Sequence, residues 1–416
     1  MSPELGRRIA FTLGALLVYR IGSHIPLPGI DFAVWAKIEG AGRGGSLALV
    51  TALSGGPLHR IAILSIGILP YISAAILIQF AMMFWSRLRA ISQQGERGRK
   101  RIVAYTRYLT LGMTALQALR IAQYFESMQG VVIEPGALFE LSTMLTLTAG
   151  TMFLIWLADQ ITARGIGNGI ALILSAGIVA QLPSIIASTG LSWQEHTLPT
   201  ELIFGTTVLA AGAVALIVFV EGARRRIWID FPKREIGDRA IEGVSKSLAL
   251  KLNNAGLMPM IFDSWFLFLP MTVASFGLWP DSTVATAILK QLSYGRPLFL
   301  VLHCALIVVF ALFYTAFLLD PEKSSETLKM HGGAIRGIEP GEPSAAYIDH
   351  VVSRIAIVGG LYLGLVIMIL PHLLISYFAV PFYIGGVSFL IVVCAIMDIG
   401  TQFKQQMQLQ PGGARP

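Results

Sequence analysis

Charge is scarce in this sequence. Only 13% of its 416 residues are Asp, Glu, Lys or Arg, about half of the roughly 25% found in ordinary soluble domains. Apolar residues make up 55%, too many to hide beneath a soluble surface. By length alone the chain holds about two or three soluble domains. The composition points instead to a single membrane bundle. Cysteine is scarcer still. Cys304 and Cys394 each sit inside an apolar run, which excludes a disulfide framework or a thiolate metal cluster. They read as two small buried apolar side chains. Motifs that carry chemistry are missing too. The sequence contains no Gly-x-x-x-x-Gly-Lys-Ser/Thr loop and no His-Glu-x-x-His helix. Its seven histidines are scattered. His303 and His372 fall in or at the end of apolar runs, where a satisfied buried imidazole is expected. No metal site, cofactor or catalytic residue is expected.

What the chain has in quantity is apolar segments of spanning length, about 20 residues each. Ten are expected, near 8–25, 61–85, 103–123, 139–160, 169–188, 201–221, 255–277, 297–319, 351–373 and 384–400. The first follows Arg7 and Arg8 but is not followed by a small-residue cleavage site, so it reads as a retained helix. The net charge of +7 could suit nucleic acid, but its placement argues otherwise. Most of the 31 basic residues fall in the termini and in the alternate loops that share their side. That asymmetry orients the chain with both termini cytoplasmic.

Two of the loops on that side are long and charged, about 222–251 and 320–350. They are large enough to meet a soluble partner, although solvated orientation signals would look the same. The stretch 40–57 is apolar only between its glycines and is too short to span. Backbone at membrane depth that is not a full helix must be buried in protein or line a watery cavity, so this stretch is either a half-inserted segment or a surface turn. Carboxylates inside spans are costly and mark function by default. Asp159 and Asp398 lie near cytoplasmic helix ends. Asp263 is deeper and has no second carboxylate at its depth, so it is expected to face a hydrated cavity or to cap a helix break before Pro270.

Several dispersed stretches resemble the SecY family, in family order and spacing. They include Tyr19-Arg20-Ile21-Gly22 with Pro26-Leu27-Pro28-Gly29, then Gly67-Ile68-Leu69-Pro70-Tyr71, Gly95-Glu96-Arg97-Gly98-Arg99-Lys100 and Tyr105-Thr106-Arg107-Tyr108. The most specific runs from Gln160 through Arg164-Gly165-Ile166-Gly167-Asn168-Gly169 to Ile170. Lys251-Leu252-Asn253-Asn254-Ala255-Gly256, Pro340-Gly341-Glu342 and Pro381-Phe382-Tyr383-Ile384-Gly385-Gly386 complete the set.

The resemblance implies an all-α membrane protein, ten transmembrane helices in two inverted-topology halves around an hourglass pore. The halves would be 1–190 and 191–416. Such a chain is the central channel subunit of the Sec translocon in the cytoplasmic membrane. It passes unfolded secretory polypeptides across the membrane, releases membrane segments laterally and does no catalysis itself. Carried over motif by motif, the narrow ring is Ile68, Ile72, Ile170, Leu174, Ile261 and Ile391. The plug is about 45–56, with Leu47, Leu49, Val50, Leu53, Ser54, Gly55 and Gly56. The partner-facing loop residues are Lys233, Arg234, Asp238, Arg239, Arg336 and Glu339. The implied partners are SecE-like and SecG-like small subunits, a SecA-like motor ATPase, the ribosome, signal peptides at a gate between the second and third and the seventh and eighth helices, and the bilayer.

Three positions depart from the family pattern. Glu339 and Asp238 stand where arginines are usual, and Asp263 stands where a small or apolar residue is usual. The two loop changes remove positive charge at partner-facing tips and predict an altered partner preference, as in a divergent or second copy. The rival class is a secondary transporter, which shares inverted repeats and broken helices. It would carry polar or charged groups at its midplane, where this sequence has mostly Ile, Leu and Gly.

Overall fold

The computed structural model describes residues 3–35, 61–195, 199–231, 234–236, 239–241, 245–260, 262–263, 266–267, 296–366 and 386–408. The plug positions Leu47 to Gly56, together with Ile261, Lys233, Asp238 and His372, lie outside the described residues. Two compact units are present, one of Met1–Val208 with Val380–Pro416 and one of Leu209–Ala379. Compactness and internal symmetry are different ways of dividing a chain, and the last helix falls in the first unit.

The first unit holds α1 (Pro3–Gly22), α2 (Leu69–Phe84), α3 (Ser86–Ser92), α4 (Gly95–Glu126), α5 (Ala137–Arg164), α6 (Gly169–Val179), α7 (Leu182–Gln194) and α12 (Gly386–Gln408). The expected helix at 61–85 begins only at Leu69. Pro70 lies in its first turn, where a missing N–H costs nothing. Residues 61–66 instead help fill a core with Leu27, Trp35, Phe125 and Phe139. At Trp85 the chain bends by 110° into α3.

Helix α4 packs against α2 and α5. Its inward face is Thr106, Thr110, Thr114, Ala118 and Ala122, all buried. In lipid, helices associate through close packing of small residues rather than hydrophobic transfer, and this stripe lets neighbouring backbones approach. The threonine hydroxyls do not remain orphaned. Each donates to the carbonyl four residues back, at 3.0, 2.7 and 2.7 Å.

The second unit holds most of α8 (Thr200–Gly222), then β1 (Arg224–Asp230), β2 (Arg234–Ile236), β3 (Arg239–Ile241), β4 (Ser245–Lys251), α9 (Pro297–Leu318), α10 (Pro321–Met330), β5 (Ala334–Ile335) and α11 (Glu342–Gly364). Helices α9 and α11 pack closely. A Cβ on Gly360 would lie 2.9 Å from the Val308 Cα.

Both long loops are folded. Strand β1 pairs antiparallel with β4 along its whole length, from Arg224↔Lys251 to Asp230↔Ser245. Its other edge takes β5. Alternation explains the sheet, because Ile227 and Ile229 are buried while Arg226 and Trp228 are exposed. Ile227, Leu250 and Ile335 form a core with Ile348, Val352 and Ile355 of α11. Helix α10 starts where Asp320 accepts the Lys323 N–H at 3.2 Å with Pro321 next in line, a cap that supplies an acceptor to an otherwise orphaned donor.

Among the described residues, six helices are long and apolar enough to cross a membrane, or up to seven if the bent α2–α3 pair is one span. Helix α4 is not among them, because Arg107, Gln117 and its threonines dilute the apolar run even beyond its basic first turns.

Candidate functional site

The ring positions that can be examined lie together in the first unit. Ile68 is buried in a core with Tyr19, Leu154, Leu157, Ile161 and Leu172, and Ile72 and Ile170 pack on that core half-buried. Leu174 and Ile391 are also half-buried, one on α6 and one on α12, two helices in contact. Partly accessible branched apolar side chains on adjacent helices are what a narrow hydrophobic constriction requires.

The turn from α5 to α6 sets where Ile170 and Leu174 stand. Gly167 has φ +88°, a left-handed conformation that favours glycine. Asn168 caps α6, its Oδ1 accepting from the Ile170 N–H at 3.0 Å. Gly169 donates its N–H to Thr162 Oγ1 at 2.9 Å, and a Cβ there would meet the Ala158 carbonyl oxygen at 1.9 Å. The Ile166 N–H donates to Thr12 Oγ1 on α1 at 3.0 Å. The Gly167 N–H donates to Gln402 Oε1 on α12 at 2.8 Å. The turn therefore joins four helices, with the N–H groups of Ile166, Gly167, Gly169 and Ile170 each taken by a side chain.

Of the carboxylates, Asp159 takes Arg107 Nη2 at 2.6 Å with both side chains half exposed, and Asp398 is exposed. Asp263 has a close neighbour that its expected roles did not include, while the helix break before Pro270 lies outside the described residues. Asp263 is fully buried, and His303 Nδ1 on α9 lies 2.6 Å from its Oδ2. The imidazole is 3% exposed and stacked on Phe299 at 5.4 Å. Among the described residues neither Asp263 oxygen nor His303 Nδ1 makes a hydrogen bond of regular geometry. A buried carboxylate beside a buried imidazole meets the demand that a buried charge have a partner close by. Neither cysteine forms a disulfide, and both are half-buried rather than fully buried. Cys304 Sγ lies 3.9 Å from the Gly364 carbonyl oxygen. No group of three or more metal-ligating side chains occurs among the described residues.

On the loops, Arg234 and Arg239 lie on β2 and β3, which pair antiparallel. Arg336 does not project alone. Its Nε and Nη2 donate to the two Asp230 oxygens at 3.1 and 3.2 Å, clamping the second loop onto the first. Glu339 is exposed. The Arg336 and Ser245 hydrogen bonds hold the Asp230 carboxyl below the usual carboxylate range. A depressed carboxylate contributes above its ordinary pKa, near 3.9, and the contribution is lost as pH falls through the lowered value. The clamp should therefore persist from neutral pH to below about pH 4. Amide exchange of Arg336, whose N–H bonds the Trp228 carbonyl at 3.2 Å, should stay slow over that window and rise in Asp230→Asn. Equal exchange in the two proteins would contradict the clamp.

Sequence reasoning missed Thr12, Gln402 and Ser175, and it expected a buried His303 without the carboxylate it faces. The alternation in β1 was the one signal that could have found the sheet.

The SecY family model matches residues 62–400. Protein translocase subunit SecY of Escherichia coli (strain K12) is 43% identical over 408 residues, covering 97% of this chain and 92% of that protein. Its counterpart from Vibrio cholerae is 40% identical over 409 residues, with the same coverage. Among solved structures, a protein-conducting channel superposes with a TM-score of 0.69 at 16% identity, covering 99% of this chain and 95% of that one. Sec61 in a canine ribosome–channel complex from the endoplasmic reticulum gives 0.65 at 15% identity, with the same coverage. At such identities the superpositions speak for the fold alone.

Proposed function

The chain belongs to the SecY family, and on that premise we propose that it is the central channel subunit of a Sec translocon in the cytoplasmic membrane. It passes unfolded secretory polypeptides across and releases membrane segments sideways into lipid. The observation that carries this reading is the α5–α6 turn, which starts α6, the helix of half-buried Ile170 and Leu174, so that it packs against α12, the helix of Ile391. Ile68, Ile72, Ile170, Leu174, Ile261 and Ile391 form the waist, and the 45–56 segment plugs it. Branched apolar groups exclude water and ions from an idle pore and make no hydrogen bonds that would select among passing sequences. The ten spans form two inverted halves, 1–190 and 191–416, with both termini cytoplasmic. The chain itself catalyses nothing, and work comes from a motor.

A signal peptide would lie between the second and third and the seventh and eighth spans. SecE-like and SecG-like subunits would brace the bundle. The folded loops 222–251 and 320–350 would receive a SecA-like motor or the ribosome. Ribosomal RNA is anionic, so Glu339 and Asp238 work against that contact. Glu339→Arg and Asp238→Arg are expected to tighten ribosome binding several-fold at low salt, with the gain shrinking as salt screens it. Cosedimentation checks this, and unchanged affinity would remove these positions from the contact.

Reconstitution tests the function as a whole. Proteoliposomes holding this chain, its small subunits and the motor should protect a secretory precursor from external protease only with ATP. Uptake of small solutes without any precursor protection would favour a secondary transporter.

A further inference from the structure

The two waist-bearing helices α6 and α12 touch along apolar faces, where Leu172 and Ile173 meet a core that includes Ile399. Apolar ridges and grooves tolerate more than one register, because rows repeat every three or four residues. A slip of one residue moves a side chain by about 1.5 Å along the axis and turns it by about 100°. Ile391 would then leave the waist although no waist residue had changed.

Two polar contacts remove that freedom. At one end Gln402 Oε1 accepts the Gly167 N–H at 2.8 Å. Gly167 precedes α6, so its N–H has no helical acceptor. A Cβ on Gly167 would lie 3.1 Å from Leu172 and 3.2 Å from Ile399, so the glycine sits wedged between the two helices. At the other end the buried Ser175 hydroxyl shares its one proton between the Ala171 carbonyl at 2.7 Å and, as the longer arm, the carbonyl of Ile391 itself at 3.4 Å. The contacts pair the start of α6 with the far part of α12, and the later part of α6 with the early part of α12. The helices thus run antiparallel, pinned at both ends.

We propose that Gln402 and Ser175 are positioning residues that fix the axial register of α6 and α12, and thereby bring Ile170, Leu174 and Ile391 into one ring. They touch no passing chain and act through the waist, so the inference rests on the waist reading above. Gln402 contributes an acceptor oxygen at the reach of a five-atom side chain. Glutamate keeps that oxygen, whereas methionine keeps the length and loses the acceptor.

The test is chloride leak through idle proteoliposomes, with a precursor whose signal peptide is disabled as a second readout. Gln402→Met should leak several-fold more than the parent and admit the defective precursor, with an unchanged melting temperature in detergent. Gln402→Glu should seal like the parent. Ser175→Ala probes the other end independently and should leak in the same direction, with Ser175→Thr sealing. A tight Gln402→Met and a tight Ser175→Ala would overturn the proposal, as would a Gln402→Glu as leaky as Gln402→Met. Ile170→Gly separates the two levels. If it leaks while Gln402→Met and Ser175→Ala do not, the register inference fails and the waist stands. If none of the three leaks, the waist reading fails and takes the inference with it.

Discussion

Asp263→Ala should destabilise the protein by about 3 kcal/mol, the low end of the range for removing one partner of a buried ion pair. The reason is local. Asp263 is fully buried against an imidazole that is itself 3% exposed, and His303 would keep its desolvation cost without its partner. His303→Ala should cost about as much. Asp263→Leu with His303→Leu should recover part of the loss, since apolar replacement of a buried pair is often neutral. Interhelical hydrogen bonds in membranes average only about 0.6 kcal/mol. The size of the loss therefore tells whether this contact behaves as an ion pair or as an ordinary polar contact. Thermal unfolding in detergent of all four proteins gives the coupling. Single losses that simply add in the double variant would show that the two side chains do not interact.

Gly169→Ala should be among the most damaging single methyls in the first unit. Its Cβ would fall 1.9 Å from the Ala158 carbonyl oxygen, and neither helix backbone has a flexible side chain to move aside. Forced overpacking of this kind costs about 1–3 kcal/mol and more where backbone must shift. Here the shift also carries Ile170 away from its neighbours, so precursor translocation should fall along with the melting temperature. Gly190 in α7 is the control, because a Cβ there meets nothing within 4 Å. Gly190→Ala should be neutral or slightly stabilising through helix propensity. Equal melting temperatures for the two alanine variants would contradict the tight α5–α6 crossing.

Much of the architecture was legible from hydropathy, because a bilayer demands long apolar runs and short polar breaks. Helices α5, α8, α9 and α12 fall where those runs lie. Helix α4 was legible from hydropathy only in its later part, near 103–123, since its basic first turns hide where it begins. The folded loops were partly legible. Asp320-Pro321 announces a helix start, and the alternation around Ile227 and Ile229 announces a strand. Yet β1 meets β5 across about a hundred residues, which no local pattern reveals. Contacts that position the waist were hidden for the same reason. Gly167 and Gln402 are 235 residues apart, and Thr12 and Ile166 are 154 apart. A side chain accepting one backbone N–H leaves no periodic trace. Asp263 stood out as a buried carboxylate, but its partner His303 was one scattered histidine among seven.

The most direct measurement on the channel itself is crosslinking of a stalled secretory precursor to single-cysteine variants at Ile68, Ile170, Ile261 and Ile391, with Cys304 and Cys394 first replaced by Ser. Adducts at all four positions, lost when the signal peptide is disabled, are the expected result. They would place a translocating chain at this waist. A folded, membrane-inserted protein that gives no adduct at any of the four would contradict a polypeptide pore lined by these residues.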